Sequence, residues 1–125
     1  MPNKNPLASP LQTGTVCLVR FHPSTGSELK RFRPAVIVSE KINQIDSRFV
    51  LVAPFTANTS SFNQDYELFI KKNNILEQDS VLLCWYLRII DTNRVETVLG
   101  KLTNDEVEQI MQKTQQLFRP KTISS

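Results

Sequence analysis

A helical hydrophobic period occurs convincingly only once in this chain, at its end. Thr103 and Glu106 stand in the Thr-x-x-Glu pattern of a capping box, and Val107, Ile110, Met111, Thr114, Leu117 and Phe118 follow at helical spacing. Pro120 then stops the helix. Everything before it is built from short runs rich in β-branched, aromatic and other apolar residues, at 15–21, 33–39, 49–55, 66–70 and 80–90. Pro23, Ser24 and Gly26 mark a loop between the first two runs. Pro34 is tolerable because proline can open a strand or sit on an edge. The last run is long enough to be one bent strand or two in sequence. Several short strands with a single amphipathic helix predict an α+β, mainly β domain: a small barrel or sandwich carrying a C-terminal helix.

Length bounds the organisation. A chain of 125 residues with 40% hydrophobic and 22% charged content supports one compact domain with a modest core. The segment 1–13 holds three prolines, two asparagines and no hydrophobic period, which predicts a flexible leader before a domain spanning 14–119 and a flexible tail at 120–125. No apolar run approaches the roughly 20 residues needed to span a bilayer, and the N-terminus lacks the apolar core of a signal peptide. The expected compartment is the cytoplasm, with no membrane partner.

Cys17 and Cys84 lie far apart within apolar stretches and form no metal or redox spacing, so they read as buried reduced thiols. With a single histidine, His22, neither a zinc cluster nor a two-histidine acid/base pair can be built within one chain. Nothing in the sequence orients His22 for catalysis. Fifteen Lys+Arg against twelve Asp+Glu leave a charge of +3, which tolerates a polyanionic partner without requiring one. The positive charge is concentrated at Lys30, Arg31 and Arg33, with a second pair at Lys71 and Lys72.

Four segments, taken in order, resemble the MazF/PemK-like family of type II toxin-antitoxin toxins. They are Gly14 with the strand 15–21; Gly26-Ser27-Glu28 followed after four residues by Arg33-Pro34-Ala35-Val36-Ile37-Val38; Val52-Ala53-Pro54-Phe55-Thr56; and a stretch from Asp79-Ser80 through Arg88-Ile89-Ile90-Asp91 to Arg94, ending on Gly100-Lys101-Leu102. The second is the most specific. One departure stands out: where many relatives carry an acidic or amide pair before the Arg-x-Ile-Asp segment, this chain has Trp85-Tyr86.

The resemblance implies an SH3-like small barrel of the MazF/PemK/CcdB type with a C-terminal amphipathic helix. It also implies a metal-independent, sequence-specific endoribonuclease, an mRNA interferase that inhibits growth, with no cofactor. The expected partners are single-stranded RNA, a cognate antitoxin with a disordered tail, and a second copy in a homodimer. It assigns catalysis to Arg33, with Thr56 as a neutral donor to the same phosphate. Arginine suits phosphate because its planar fork donates two hydrogen bonds, whereas its pKa above ~12 makes it a poor proton donor. Ser27 and Glu28 are candidates for phosphate binding or catalysis, and the general base stays open between Glu28 and others.

Lys30, Arg31, Tyr86 and Arg88 are candidate RNA contacts. Strand alternation sets Arg88, Tyr86 and Cys84 on one face and Leu83, Trp85 and Leu87 on the other, so Trp85 is expected in the core; Arg88 can reach RNA or a second subunit, and Tyr86 is open between stacking on an unpaired base and a buried or interface position. Both faces of 81–90 are largely apolar, which predicts that a second subunit covers one of them. Two alternatives stay open at this point: a non-catalytic toxin of the same barrel type that inhibits DNA gyrase, and a degenerate, non-toxic binding domain.

Overall fold

The computed structural model describes residues 11–21 and 32–121. The chain runs through β1 (Thr15–Arg20), β2 (Phe32–Ser39), a single-turn α1 (Lys41–Ile45), β3 (Phe49–Thr56), β4 (Glu67–Ile70), β5 (Ser80–Leu83), β6 (Arg88–Asp91), a 3-10 turn (Thr92–Arg94), β7 (Val95–Lys101) and α2 (Asn104–Gln116). All strand pairings are antiparallel, in the order β4-β5-β3-β2-β1-β7, with β6 pairing to β3 outside that path. The expected mainly β fold with a C-terminal helix is present. Its ladder is open among the described residues, ending at β4 on one side and β7 on the other, rather than closing into a hydrogen-bonded barrel.

Strand β3 organises the sheet. One edge pairs with β2, and the other is shared: Phe49 to Val52 take β6, while Phe55 and Thr56 take β5. The apolar run 80–90 is therefore two strands. Between the pairs Phe55↔Leu82 and Val52↔Arg88 the chain fits Leu83 to Leu87 opposite only Ala53 and Pro54. Pro54 has no amide donor to offer a partner, and the chain leaves the ladder opposite it. Tyr86 N–H donates to the Leu83 carbonyl at 3.0 Å to close the resulting turn.

Both faces of β1, β2 and β3 are packed, which is why these strands read as continuous apolar runs rather than clean alternation. On one face Val16, Val36, Ala53, Phe55, Leu68 and Leu82 form a cluster that Ile110 joins from α2. On the other, Cys17, Val19, Ala35, Ile37, Val50 and Val52 gather with Phe21, Ile90 and Val95 as the sheet curls. Register shifts in the β1–β7 and β2–β3 ladders accompany that curvature. Each fully buried aliphatic side chain contributes about 1.5–3 kcal/mol over leaving it in water.

Helix α2 begins as its capping box requires: Thr103 Oγ1 accepts from Glu106 N–H at 3.1 Å, and the Glu106 carboxylate accepts from Thr103 N–H at 2.9 Å. Gly14 anchors this corner. Its amide donates to the Ile37 carbonyl and its carbonyl accepts from Leu102 N–H, both at 2.9 Å. Its φ of 94° and a would-be Cβ only 2.7 Å from Val107 Cγ2 leave room for glycine alone. Packing extends ahead of it: Leu11 lies against the second cluster, and Thr13 N–H donates to the Glu40 carboxylate at 3.0 Å.

Candidate functional site

Arg33 is the second residue of β2, and Thr56 is the last of β3. The two strands pair as Val36↔Ala53 and Ala35↔Pro54, and extending that register outward by two residues sets Arg33 opposite Thr56. Alternation puts both side chains on the face that carries Ala35, Ile37 and Val52. Both residues border one cleft of about 560 Å³ at these strand ends, whose wall also takes Phe55 and Leu76 from the opposite face and Glu77, Gln78 and Ser80 from the segment before β5.

Each member of the pair is left available for a ligand. Arg33 is exposed, and the one ion pair among the described residues is Arg48–Asp46, so no described carboxylate neutralises its guanidinium. Thr56 is fixed by its pairing with Val81 of β5. Its Oγ1 accepts from Asn58 N–H at 3.1 Å, which leaves the hydroxyl proton free to be donated outward. A cation and a neutral donor at the ends of adjacent strands suit a phosphate oxygen.

Glu77, Gln78 and Ser80 were not anticipated at this cleft. They arrive on the segment between β4 and β5, whose course is set by side chains bonding to backbone. Asn73 Oδ1 accepts from the amides of Ile75 and Leu76 at 2.7 and 3.0 Å, and Asp79 Oδ1 accepts from Lys72 N–H at 2.9 Å. In the sequence the Asp79-Ser80 pair stands out only as the opening of the fourth family segment, with no role assigned to it.

Residues 12–118 match the sequence profile of a family described as the PemK-like, MazF-like toxins of type II toxin-antitoxin systems. The chain belongs to this family. A curated relative, the endoribonuclease MazF of Staphylococcus saprophyticus, is 29% identical over 101 residues, covering 80% of this chain and 84% of its own. The fold is that of the crystal structure of MazF from Deinococcus radiodurans, with a TM-score of 0.67, 20% identity, and coverage of 85% of this chain and 94% of that one. It is likewise that of an endoribonuclease in complex with its cognate antitoxin from a mycobacterial species, with a TM-score of 0.66, 15% identity, and coverage of 87% and 96%.

The family's motif order is kept where the structure departs from the expected strand geometry. Trp85 does not enter the core. The turn between β5 and β6 interrupts alternation, so Cys84 is buried while Trp85 and Tyr86 are both exposed, with rings stacked 5.3 Å apart and only 10° from parallel. Arg88 is half-buried on β6, its guanidinium 5.1 Å from the Phe21 ring and 5.9 Å from that of Tyr86. Ser27, Glu28, Lys30 and Arg31, with His22, lie outside the described residues. Lys71 and Lys72 are exposed beyond β4 and do not line the cleft.

Cys17 and Cys84 are buried, and desolvation pushes both thiols up to about 11, so neither is a ready thiolate. Among the described residues no three His, Cys, Asp or Glu side chains are grouped to hold a metal ion. No described helix is long and apolar enough to cross a membrane.

Proposed function

We propose that the chain is a toxin endoribonuclease that cuts single-stranded RNA in the cleft at the paired ends of β2 and β3, with Arg33 and Thr56 as its catalytic residues. The observation that carries this reading is a guanidinium that no described carboxylate neutralises, set opposite a hydroxyl that donates to no described group, with both residues bordering one cleft. Attack of the ribose 2′-oxygen on the adjacent phosphorus, as its proton passes to a base, breaks the bond to the 5′-oxygen, which takes a proton from solvent; the products are a 2′,3′-cyclic phosphate and a 5′-hydroxyl. The Arg33 fork holds the non-bridging oxygens as they gain charge, and Thr56 donates a further hydrogen bond.

The 2′-hydroxyl proton needs an acceptor. Glu77 is the carboxylate that lines the cleft among the described residues, and Glu28 is the candidate the family resemblance brings. Replacing each by glutamine separates them: loss of the true base removes the low-pH limb of the rate profile, whereas loss of the other leaves that limb in place.

The toxin acts in the cytoplasm and is silenced by a cognate antitoxin, as the antitoxin complex of a similarly folded endoribonuclease suggests. It works as a homodimer. Within one chain Val81, Leu82, Cys84 and Ile90 are already buried, whereas Ile89 on β6 and Ile45 at the end of α1 remain exposed on elements packed beside β3; a second subunit would cover them. Incubating the purified chain with a long RNA in EDTA tests the reading: fragments with cyclic-phosphate ends are expected, and an intact RNA would overturn it.

A further inference from the structure

Trp85 and Tyr86 are exposed to 47% and 43%, yet Trp85 is tightly held. Its indole N–H donates to Glu67 Oε2 at 2.7 Å, and Glu67, itself buried at the start of β4, accepts from Asn63 N–H through its other oxygen at 2.9 Å. Beyond Tyr86 the stack continues into the Arg88 guanidinium and the Phe21 ring, giving four planar groups in succession. Holding such a surface rigid while leaving it in water presents a flat face that has already lost its rotamer freedom before any ligand arrives.

Beside that face opens a second cleft of about 660 Å³, lined by Trp85, Phe62, Tyr66, Ser61, Asn63 and Gln64 among others. Asn63 spends its oxygen on Asp65 N–H, leaving its amide NH₂ to donate. The Gln64 side chain makes no hydrogen bond among the described residues, so it offers both a donor and an acceptor. Flat aromatic faces combined with side-chain amides match an unpaired nucleobase, which stacks on the first and is read along its edge by the second. The lining is too polar to favour an aliphatic side chain, and Lys113, donating to the Gln64 carbonyl, adds positive charge beside it.

The chain connects this cleft to the first. The segment that leaves Thr56 supplies Ser61, Phe62, Asn63 and Gln64 before entering β4. We infer that the Trp85–Tyr86 stack and its adjoining cleft bind a base of the RNA flanking the cleaved phosphate, with Trp85 as a specificity-determining residue. This rests on the endoribonuclease reading and adds where one base is selected.

Because Trp85 is the only tryptophan, its fluorescence reports on the site directly. The full chain is titrated with short, fully 2′-O-methylated oligonucleotides of single base composition, which bind without being cut. Saturable quenching that differs between bases is expected. Trp85→Leu should weaken oligonucleotide binding roughly 5- to 150-fold and redistribute cuts along a long RNA, while Trp85→Phe, keeping a ring, should restore most of the binding. If the parent protein cuts RNA but no oligonucleotide quenches Trp85, the inference is overturned while the cleavage reading stands; the parent measurement decides this even if Trp85→Leu misfolds. Quenching by an antitoxin peptide alone, or by dimerisation alone, overturns it in favour of a protein interface. RNA that is neither bound nor cut overturns the endoribonuclease reading and this site with it.

Discussion

Arg33 is exposed and, among the described residues, unpaired, so replacing its guanidinium is expected to disturb chemistry far more than folding. Thermal unfolding of Arg33→Lys should stay within about 0.5 kcal/mol of the parent, as for other surface changes. Lysine keeps the charge and loses the fork, so RNA binding at fixed salt should recover better than cleavage. Thr56→Val removes one neutral hydrogen bond, about 0.5–1.5 kcal/mol, and also the acceptor of Asn58 N–H; single-turnover cleavage should slow roughly tenfold. The buried thiols give a second check at this scale. With their pKa values pushed up to about 11, Cys17 and Cys84 should resist iodoacetamide at pH 8 in the folded protein and react once it is denatured, which mass spectrometry reads directly.

Among the elements, α2 was the most legible, because its cap and its apolar stripe are both local patterns. Thr103→Ala should remove about 1 kcal/mol of stability, measured by denaturant unfolding, since two backbone amides at the helix start are served by the box. Gly14→Ala should cost more than a surface change, because the left-handed backbone and the contact with Val107 both oppose a methyl group. β7 carries little signal in the sequence: it lies at the end of the strand order, alternates poorly and carries Glu96 and Lys101 in place of apolar residues, as strands at an edge often do. α1 is a single turn with no side-chain cap and no buried residue, so no period announces it. The division of 80–90 into β5 and β6 falls opposite Ala53 and Pro54 of β3, a position set by pairing with another strand and not by the segment's own pattern.

At the scale of the molecule, the motif order of the chain brought Arg33 and Thr56 together on paper, and the β2–β3 register provides a physical reason for the pairing. Glu77, Gln78 and the placement of Trp85 were not legible, because they depend on side-chain bonds such as Asp79 to Lys72 and Trp85 to Glu67 that span seven and eighteen residues. A homodimer is expected to give about twice the 14.3 kDa chain mass by light scattering after size exclusion; a monomer at micromolar concentration would remove the shared-subunit arrangement. The most direct test of the central claim is single-turnover cleavage of a long RNA in EDTA by the folded parent protein and by Arg33→Ala side by side. The expected result is cyclic-phosphate ends from the parent and a rate lower by on the order of 10² to 10³ in the variant; equal rates from the two proteins would contradict the assignment of the cleft as the active site.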